Sequence, residues 1–440
     1  MQGLLDGFGK YSRFTISDGQ LCFAAKMMET VFWNVSIATN KVAPDPLFLE
    51  TVPPRGYSMM DNLQAVGDNT FVNTIKMGDT YLSITDSQKM IEFDPISLRI
   101  KANFTWDDHL DFLNMPLGSA HPLPEPGSAD GCLLGLHPER DLLGGRVKLY
   151  RFCPDRPSKR VVVAQFKRSY LPYFHSFGIS ATHAVLPLMH FRVDVAAMIT
   201  DGGTISSAFK PHDLGKDTEV VVQPLDGSAP KSYTLPGDVY YTHIANTFEN
   251  ATAVICDIVA FDANPFQDPA ALANWRDKAL RDQFRPAILQ RWVMHTAGDR
   301  AGKLDVQPLS APGRVTDFTN INRKFGSQHY CLYWAVEWRH DDISTADMAI
   351  VRQDVCTGKR TYFYRKDAYP SEPTFVPRSG AGSTGAEDDG VLLFTVLDGK
   401  SGTSSLLEVD AASMALRSES PLGVGTGFTT HGEWYEGLRP

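Results

Sequence analysis

The chain has 440 residues, 43% of them hydrophobic, with 42 Lys and Arg against 51 Asp and Glu and a formal net charge of -9. That length and apolar content suffice for a large buried core, and an acidic balance without any basic run argues against a phosphate backbone as partner, so no nucleic acid is expected. The longest apolar stretches, about eight residues, fall far short of the roughly 20 that cross a bilayer, which points to a soluble globular protein.

The N-terminal stretch MQGLLDGFGKYSRF lacks the basic, apolar and small-residue succession of a signal peptide. Cys22, Cys132, Cys153, Cys256, Cys331 and Cys356 are scattered without a C-x-x-C pair, so reduced thiols in a cytoplasmic protein are expected, or in an organelle if a targeting segment is missing from this sequence. The N-x-[ST] matches at Asn34, Asn103 and Asn250 then read as chance.

Most of the chain is short β-rich runs broken by Gly, Pro, Asp and Asn, among them SRFTISDGQLCFAAKM (12–27), NTFVNTIKMGDTYLSIT (69–85), GRVKLYRF (145–152), KRVVVAQF (159–166) and ASMALRSES (412–420). Helical periodicity is confined to DPAALANWRDKALRDQFRPAILQRWVM (268–294), where Pro286 predicts a break into two pieces. Three turns share one chemistry: IEFDPISLRI at Asp94, VRQDVCTGKR at Asp354 and LEVDAASMAL at Asp410. In each, a strand runs into Asp-x-x-[Ser/Thr] and another strand comes after it. An aspartate accepts backbone N–H bonds across such a turn, so the pattern predicts hairpins repeated along the chain, as in the blades of a β-propeller.

Four of the 12 histidines occupy strand-like positions followed by small or turn residues: His121 in GSAHPLPE, His175 in LPYFHSFGIS, His243 in VYYTHIANTFEN and His431 in GFTTHGEWYEG. No local element brings together residues so far apart, whereas strand ends around a propeller axis converge. Four neutral imidazoles would hold a divalent first-row metal and leave positions open for dioxygen or substrate, while tetrahedral zinc would close the site. Carboxylates are expected behind the histidines, because each ligand's other ring nitrogen needs an acceptor to fix its tautomer.

At these residues the chain resembles the carotenoid cleavage oxygenase family, most closely its animal-type branch. AHP, PYFHSFGIS, THIANTFEN and FTTHGEW resemble the family's four iron-ligand motifs in order. SEPTFVPRSGAGSTGAEDDGVLLFTVLD is similar to its signature before the last blade, and VTDFTNINRKFGSQHYCLYW to its acidic-Phe-x-x-Ile-Asn segment. The resemblance implies one propeller domain over residues 1–440, with the family's N-terminal Arg-Asn-Gly-Pro strand missing. It implies seven blades, an axial non-haem Fe(II), and a dome of loops and helices over the metal enclosing an apolar tunnel.

Carried over by position, His121, His175, His243 and His431 would be the iron ligands, and the outer-shell acids fall on Asp86, Asp317 and Glu372. The family normally has Glu at all three. Asp is one methylene shorter, so two histidine–carboxylate bonds are expected to lengthen, gain a water or be met by backbone movement. Val72, 14 residues before Asp86, falls where the resemblance places a methyl group that crowds one open metal position. Phe174, Phe318 and Trp434 are the candidates to wall the tunnel.

The function this implies is cleavage of a C=C bond in a carotenoid or apocarotenoid by dioxygen, giving two carbonyl products. The partners are an apolar polyene and dioxygen, with a monomeric chain and peripheral membrane contact during uptake as further expectations. One rival is isomerisation or ester cleavage of a retinoid or carotenoid at the same four-histidine site, which would need a lipid-facing loop where ETVPPRGYSMMDN (50–62) is short. A stilbene-cleaving enzyme would have lysine where this chain has Thr85. A non-enzymatic propeller would need a closed zinc site. SGAGSTG (379–385) lacks the Gly-Lys-[Ser/Thr] ending of a phosphate loop, and EDDG (387–390) fits no calcium loop.

Overall fold

The computed structural model describes residues 6–45, 67–108, 117–141, 144–200, 204–266, 276–281, 287–311, 313–340 and 346–438. The loop 50–62 and much of 268–286 lie outside the described residues.

Six antiparallel sheets of four or five strands succeed one another along the chain. The first comprises Asn73–Met77, Thr80–Ile84, Met90–Phe93 and Ile100–Phe104. The second comprises Leu123–Pro124, Leu133–Asp141, Gly144–Cys153 and Arg156–Arg168. Gly178–Ile179, His183–Pro187, Thr218–Pro224 and Lys231–Leu235 form the third. Tyr240–Glu249, Ala253–Phe261, Ile288–His295 and Leu304–Pro308 form the fourth. Val315–Asn320, Leu332–Trp338, Met348–Asp354 and Arg360–Tyr364 form the fifth. In the sixth, Ala368–Pro370 and Thr374–Pro377 both pair with Gly390–Asp398, and Ser404–Asp410 and Leu416–Pro421 complete the sheet.

The first strands of successive sheets pack on one another, as Gly178–Ile179 does on Tyr240–Glu249 and that strand on Val315–Asn320. Each sheet is therefore a blade that starts at the axis and steps outward. Burial tracks this order: Ala253–Phe261, covered on both faces by neighbouring blades, is buried over nearly its whole length, whereas the outermost Leu416–Pro421 is almost wholly exposed. Five apolar clusters fill the five seams between consecutive blades. In the seam between the fifth and sixth, Trp334 stacks on Phe375 at 4.8 Å and its indole N–H donates to the Ala411 carbonyl at 3.0 Å. Truncating such a side chain costs about 3–5 kcal/mol.

The Asp-x-x-[Ser/Thr] turns all join the last two strands of a blade, in the first, fifth and sixth. Asp94 accepts from the Ile96 and Ser97 amides, Asp354 from Cys356 and Thr357, and Asp410 from Ser413. The residue after each Ser or Thr is left-handed: Leu98, Gly358 and Met414, with φ of +56°, +77° and +60°. Only the fifth blade uses glycine, which enters that region without steric cost.

Three expectations are corrected. Among the described residues the blades number six, not seven. The N-terminal strands Lys10–Ser17 and Gln20–Met27 pair only with each other, and the described chain after Pro421 forms no strand. That stretch, PLGVGTGFTTHGE, carries four glycines, which weaken a strand. The hairpin packs through Tyr11 on Tyr81, Phe93 and Leu98 of the first blade, together with Tyr435 and Leu438. Among the described residues of 268–294, Lys278–Arg281 is helical, but 288–295 is a central strand. Its buried Leu289 and Trp292 are three apart, as on one face of a helix, and pairing on both sides with neighbouring strands overrides that local pattern.

The cysteines are not all free thiols. Cys132–Cys153 and Cys331–Cys356 are disulfides, leaving Cys22 exposed and Cys256 buried. Both pairs lie at hairpin ends, next to Leu133↔Phe152 and Leu332↔Asp354. Antiparallel register brings together cysteines that look remote in sequence.

Candidate metal centre

The blades deliver the four histidines to the axis. His121 and His175 lie two and three residues before the innermost strands of the second and third blades, and His243 lies within that of the fourth. His431 arrives on the irregular segment that returns from the rim after Pro421. Small hydroxyls stitch neighbouring segments together. Ser119 donates to the His175 carbonyl at 2.7 Å and Ser176 to the Thr242 carbonyl at 2.7 Å, while Thr430 donates to the Phe71 carbonyl at 3.3 Å.

The ring nitrogens converge: Nε2 atoms are 3.2 Å apart for His121 and His175, 3.2 Å for His175 and His243, and 3.1 Å for His243 and His431. Behind three of them stand carboxylates that accept from Nδ1: Asp86 on His175 at 2.8 Å, Asp317 on His243 at 2.7 Å and Glu372 on His431 at 2.9 Å. A neutral ring that donates from Nδ1 presents a lone pair at Nε2. Three such lone pairs therefore point at one another, an arrangement that is repulsive without a cation between them. Nitrogens each about 2.1 Å from a metal lie about 3.0–3.4 Å apart for right-angled to tetrahedral arrangements, so one divalent ion fits the ring.

The surroundings favour the neutral form at two of the four rings. Burial, reinforced by the other three imidazoles, holds the His121 pKa well below the usual histidine range, and among the described residues no carboxylate hydrogen-bonds this ring. Burial also lowers His243 despite Asp317. Burial opposes charge on His431 too, but Glu372 outweighs it and raises that pKa. Asp317 is itself held low because His243 and the Phe318 and Thr242 donors outweigh its burial.

The shorter aspartates do not lengthen the carboxylate bonds. At Asp317 the backbone moves instead: the pairing register breaks between Asp317 and Asn320, and Phe318 takes a left-handed φ of +53°, its amide donating to Asp317 Oδ1 at 2.7 Å. Such a bulge re-aims the side chain toward the axis. Asp86 sits in the turn beside the Ser87↔Leu117 bridge, and its Oδ1 accepts from the Ala120 amide at 3.0 Å. A Cβ at Gly118 would lie 2.5 Å from Gln88 Nε2 and 2.9 Å from the Ser87 carbonyl, so only glycine allows this approach.

Sequence reasoning missed the donors that hold the acids. Tyr173 Oη donates to Asp86 Oδ2 at 2.6 Å and Thr242 Oγ1 to Asp317 Oδ2 at 2.9 Å. In PYFH, Tyr173 stands two residues before His175, the spacing that puts two side chains on one face of an extended segment, a signal that could have found it.

The surroundings are aromatic. Phe318 lies 5.2 Å from His243 and 5.7 Å from His431, with Phe428 against it at 5.0 Å. Phe266 lies 6.0 Å from His175 and packs with Phe191 and Phe209 of the insertion between the second and third strands of the third blade. A cavity of about 620 Å³ opens along the seam between the sixth and first blades, reaching His431, Glu372, Val72, Phe428 and Trp434. Val72 and Trp434 thus share a cavity with a histidine of the ring. Thr85 is buried and does not line that cavity. Phe174 faces away, fully buried in the seam between the second and third blades. Glu387, Asp388 and Asp389 are engaged by the Leu332 amide, Arg352 and Arg378 respectively, which accounts for EDDG without calcium.

Comparison with known proteins extends what the geometry shows. The family model for the retinal pigment epithelial membrane protein matches residues 1–436. The chain belongs to that family, the carotenoid and apocarotenoid oxygenases. Among curated members, it is 23% identical to the carotenoid isomerooxygenase of Galleria mellonella, covering 91% of this chain and 79% of that protein. It is 25% identical to the chloroplastic carotenoid cleavage dioxygenase 8 of Arabidopsis thaliana (98% and 77% covered) and 21% to the rat β,β-carotene 15,15'-dioxygenase (97% and 82%). The cobalt-substituted apocarotenoid oxygenase of Synechocystis superposes with a TM-score of 0.82 at 20% identity, over 99% of this chain and 88% of that one. At that identity the likeness speaks to the fold. Family members named as cleavage dioxygenases are oxidoreductases, and this chain is an enzyme of that kind.

Proposed function

We propose that the chain is an iron(II) dioxygenase that cleaves a C=C bond of a carotenoid or apocarotenoid into two carbonyl products. The observation that carries this reading is the ring of four histidines, three of them held with Nε2 pointing inward by carboxylates at 2.7–2.9 Å. His121, His175, His243 and His431 would hold the metal, and Asp86, Asp317 and Glu372 would fix its ligands. With no carboxylate in the ring itself, the metal would keep its full charge, and four ligands leave positions open. Activation of dioxygen toward an electron-rich alkene is the chemistry that a bound iron(II) supplies.

The protein's own residues bind, orient and exclude water. Phe266 on the His175 side and Phe318 with Phe428 on the His431 side give an elongated polyene apolar area on both sides of the ring. Val72 and Trp434 line the approach to His431, and fixing the alkene beside the metal supplies the proximity on which the rate depends.

Anaerobic loading with iron(II), then exposure to isotope-labelled dioxygen and a panel of carotenoids, apocarotenoids and stilbenes, tests the proposal. Aldehyde or ketone products carrying the label are expected from a polyene. Geometric isomers of intact substrate would favour the isomerase alternative, and no turnover of any member would contradict the reading.

A further inference from the structure

We propose a second metal site, outside the axial ring, that forms when the Cys331–Cys356 disulfide is reduced: Cys331, Cys356 and His329 then bind one zinc-class divalent ion, with water as the fourth ligand. His Nδ1 or Nε2 and the two sulfurs lie within 4.8 Å of one another, with His329 and Cys356 exposed and Cys331 half-buried. Tetrahedral ligand atoms around zinc are about 3.4–3.8 Å apart, so side-chain rotation is enough to complete the shell.

The site is built to survive loss of the S–S bond, because other contacts fix each cysteine's backbone. The Cys331 amide donates to both oxygens of Glu387 at 3.0 Å. The Cys356 amide donates to Asp354 Oδ1 at 2.9 Å, inside the repeated turn of the fifth blade. Between them, Leu332 and Asp354 pair across neighbouring strands, and the cysteine Cα atoms are 5.2 Å apart. His329 is steadied by an edge contact with Phe248 at 5.5 Å. Two reduced thiols held this close next to an imidazole offer the soft donor set that zinc prefers, in contrast to the all-nitrogen ring on the axis.

The conversion is balanced. A dithiol reductant gives two electrons and two protons to the Cys331–Cys356 bond, which becomes two thiols while the reductant closes to its own disulfide. On binding the ion, each thiol releases its proton to solvent and His329 donates a neutral nitrogen.

Cobalt(II) distinguishes the two sites, since only thiolate ligation gives an intense near-ultraviolet sulfur-to-cobalt charge-transfer band. The full chain is reduced with a phosphine, freed of reductant under argon and titrated with cobalt(II), alongside unreduced protein. The expected result is one cobalt per chain without the band before reduction, and two with it afterwards. The band should persist in Cys132→Ser/Cys153→Ser and in His431→Ala, which leaves the axial reading out of the test, and vanish in Cys356→Ser. The exposed His329→Ala change does not touch the disulfide, and affinity at the second site should fall at least tenfold. Absence of the band after reduction, its survival in Cys356→Ser, or unchanged affinity in His329→Ala would overturn the proposal.

Discussion

The rim turns and the axial ring use the same side-chain chemistry for different ends. At Asp94, Asp354 and Asp410 a carboxylate accepts backbone amides and closes a turn. At Asp86, Asp317 and Glu372 a carboxylate accepts an imidazole N–H and aims a ring at a point shared by histidines from three blades and the C-terminal segment. The rim contacts are local, spanning two or three residues, and recur with one spacing. The axial contacts span 59–89 residues and share no spacing. Repetition marks the scaffold and departure from it marks the site.

Substitutions on the two sides separate these roles. The largest effect is expected from His431→Ala, or from removal of the last ten residues, which should abolish stoichiometric metal binding at the axis while circular dichroism still reports a folded β protein. Asp317→Asn comes next. Losing the charge behind His243 should weaken metal affinity by about 10–100-fold, measured by competition with a chromogenic chelator. Tyr173→Phe should cost less, about fivefold in affinity, the equivalent of one hydrogen bond of about 1 kcal/mol, since Asp86 keeps the Ala120 amide.

The smallest effect is expected at the rim. Asp94→Ala should leave metal affinity unchanged and lower stability by about 1 kcal/mol in denaturant titration. The Ser97 amide, with a smaller share from the Ile96 amide, depresses the Asp94 pKa in the folded chain. The difference between wild type and variant should therefore be present above the ordinary aspartate range and disappear as pH falls through the folded value. A loss of metal in Asp94→Ala, or none in Asp317→Asn, would break the comparison.

The same contrast explains what was legible in the sequence. The turns at Asp94, Asp354 and Asp410 disclosed a radial β fold because each is complete within six residues. The four histidines stood out by their strand-end positions, and the family resemblance, whose motifs preserve their order, gave them a shared role as iron ligands. The seventh blade was expected from that resemblance. Its place is taken here by the hairpin Lys10–Met27, the irregular segment after Pro421 and a cavity. The disulfides and the strand at 288–295 were hidden because register between distant segments decides both. Tyr173, which donates to Asp86, and the bulge at Phe318, which re-aims Asp317, belong to no repeated motif.

Every role assigned to the axial residues depends on one metal held by four imidazoles at the propeller axis. X-ray absorption at the iron edge of the anaerobically loaded, unreduced chain tests that arrangement without intermediary. A first shell with four imidazole nitrogens, shown by their outer-ring scattering, and no sulfur is the predicted result; fewer than four imidazoles, or any sulfur, would contradict it.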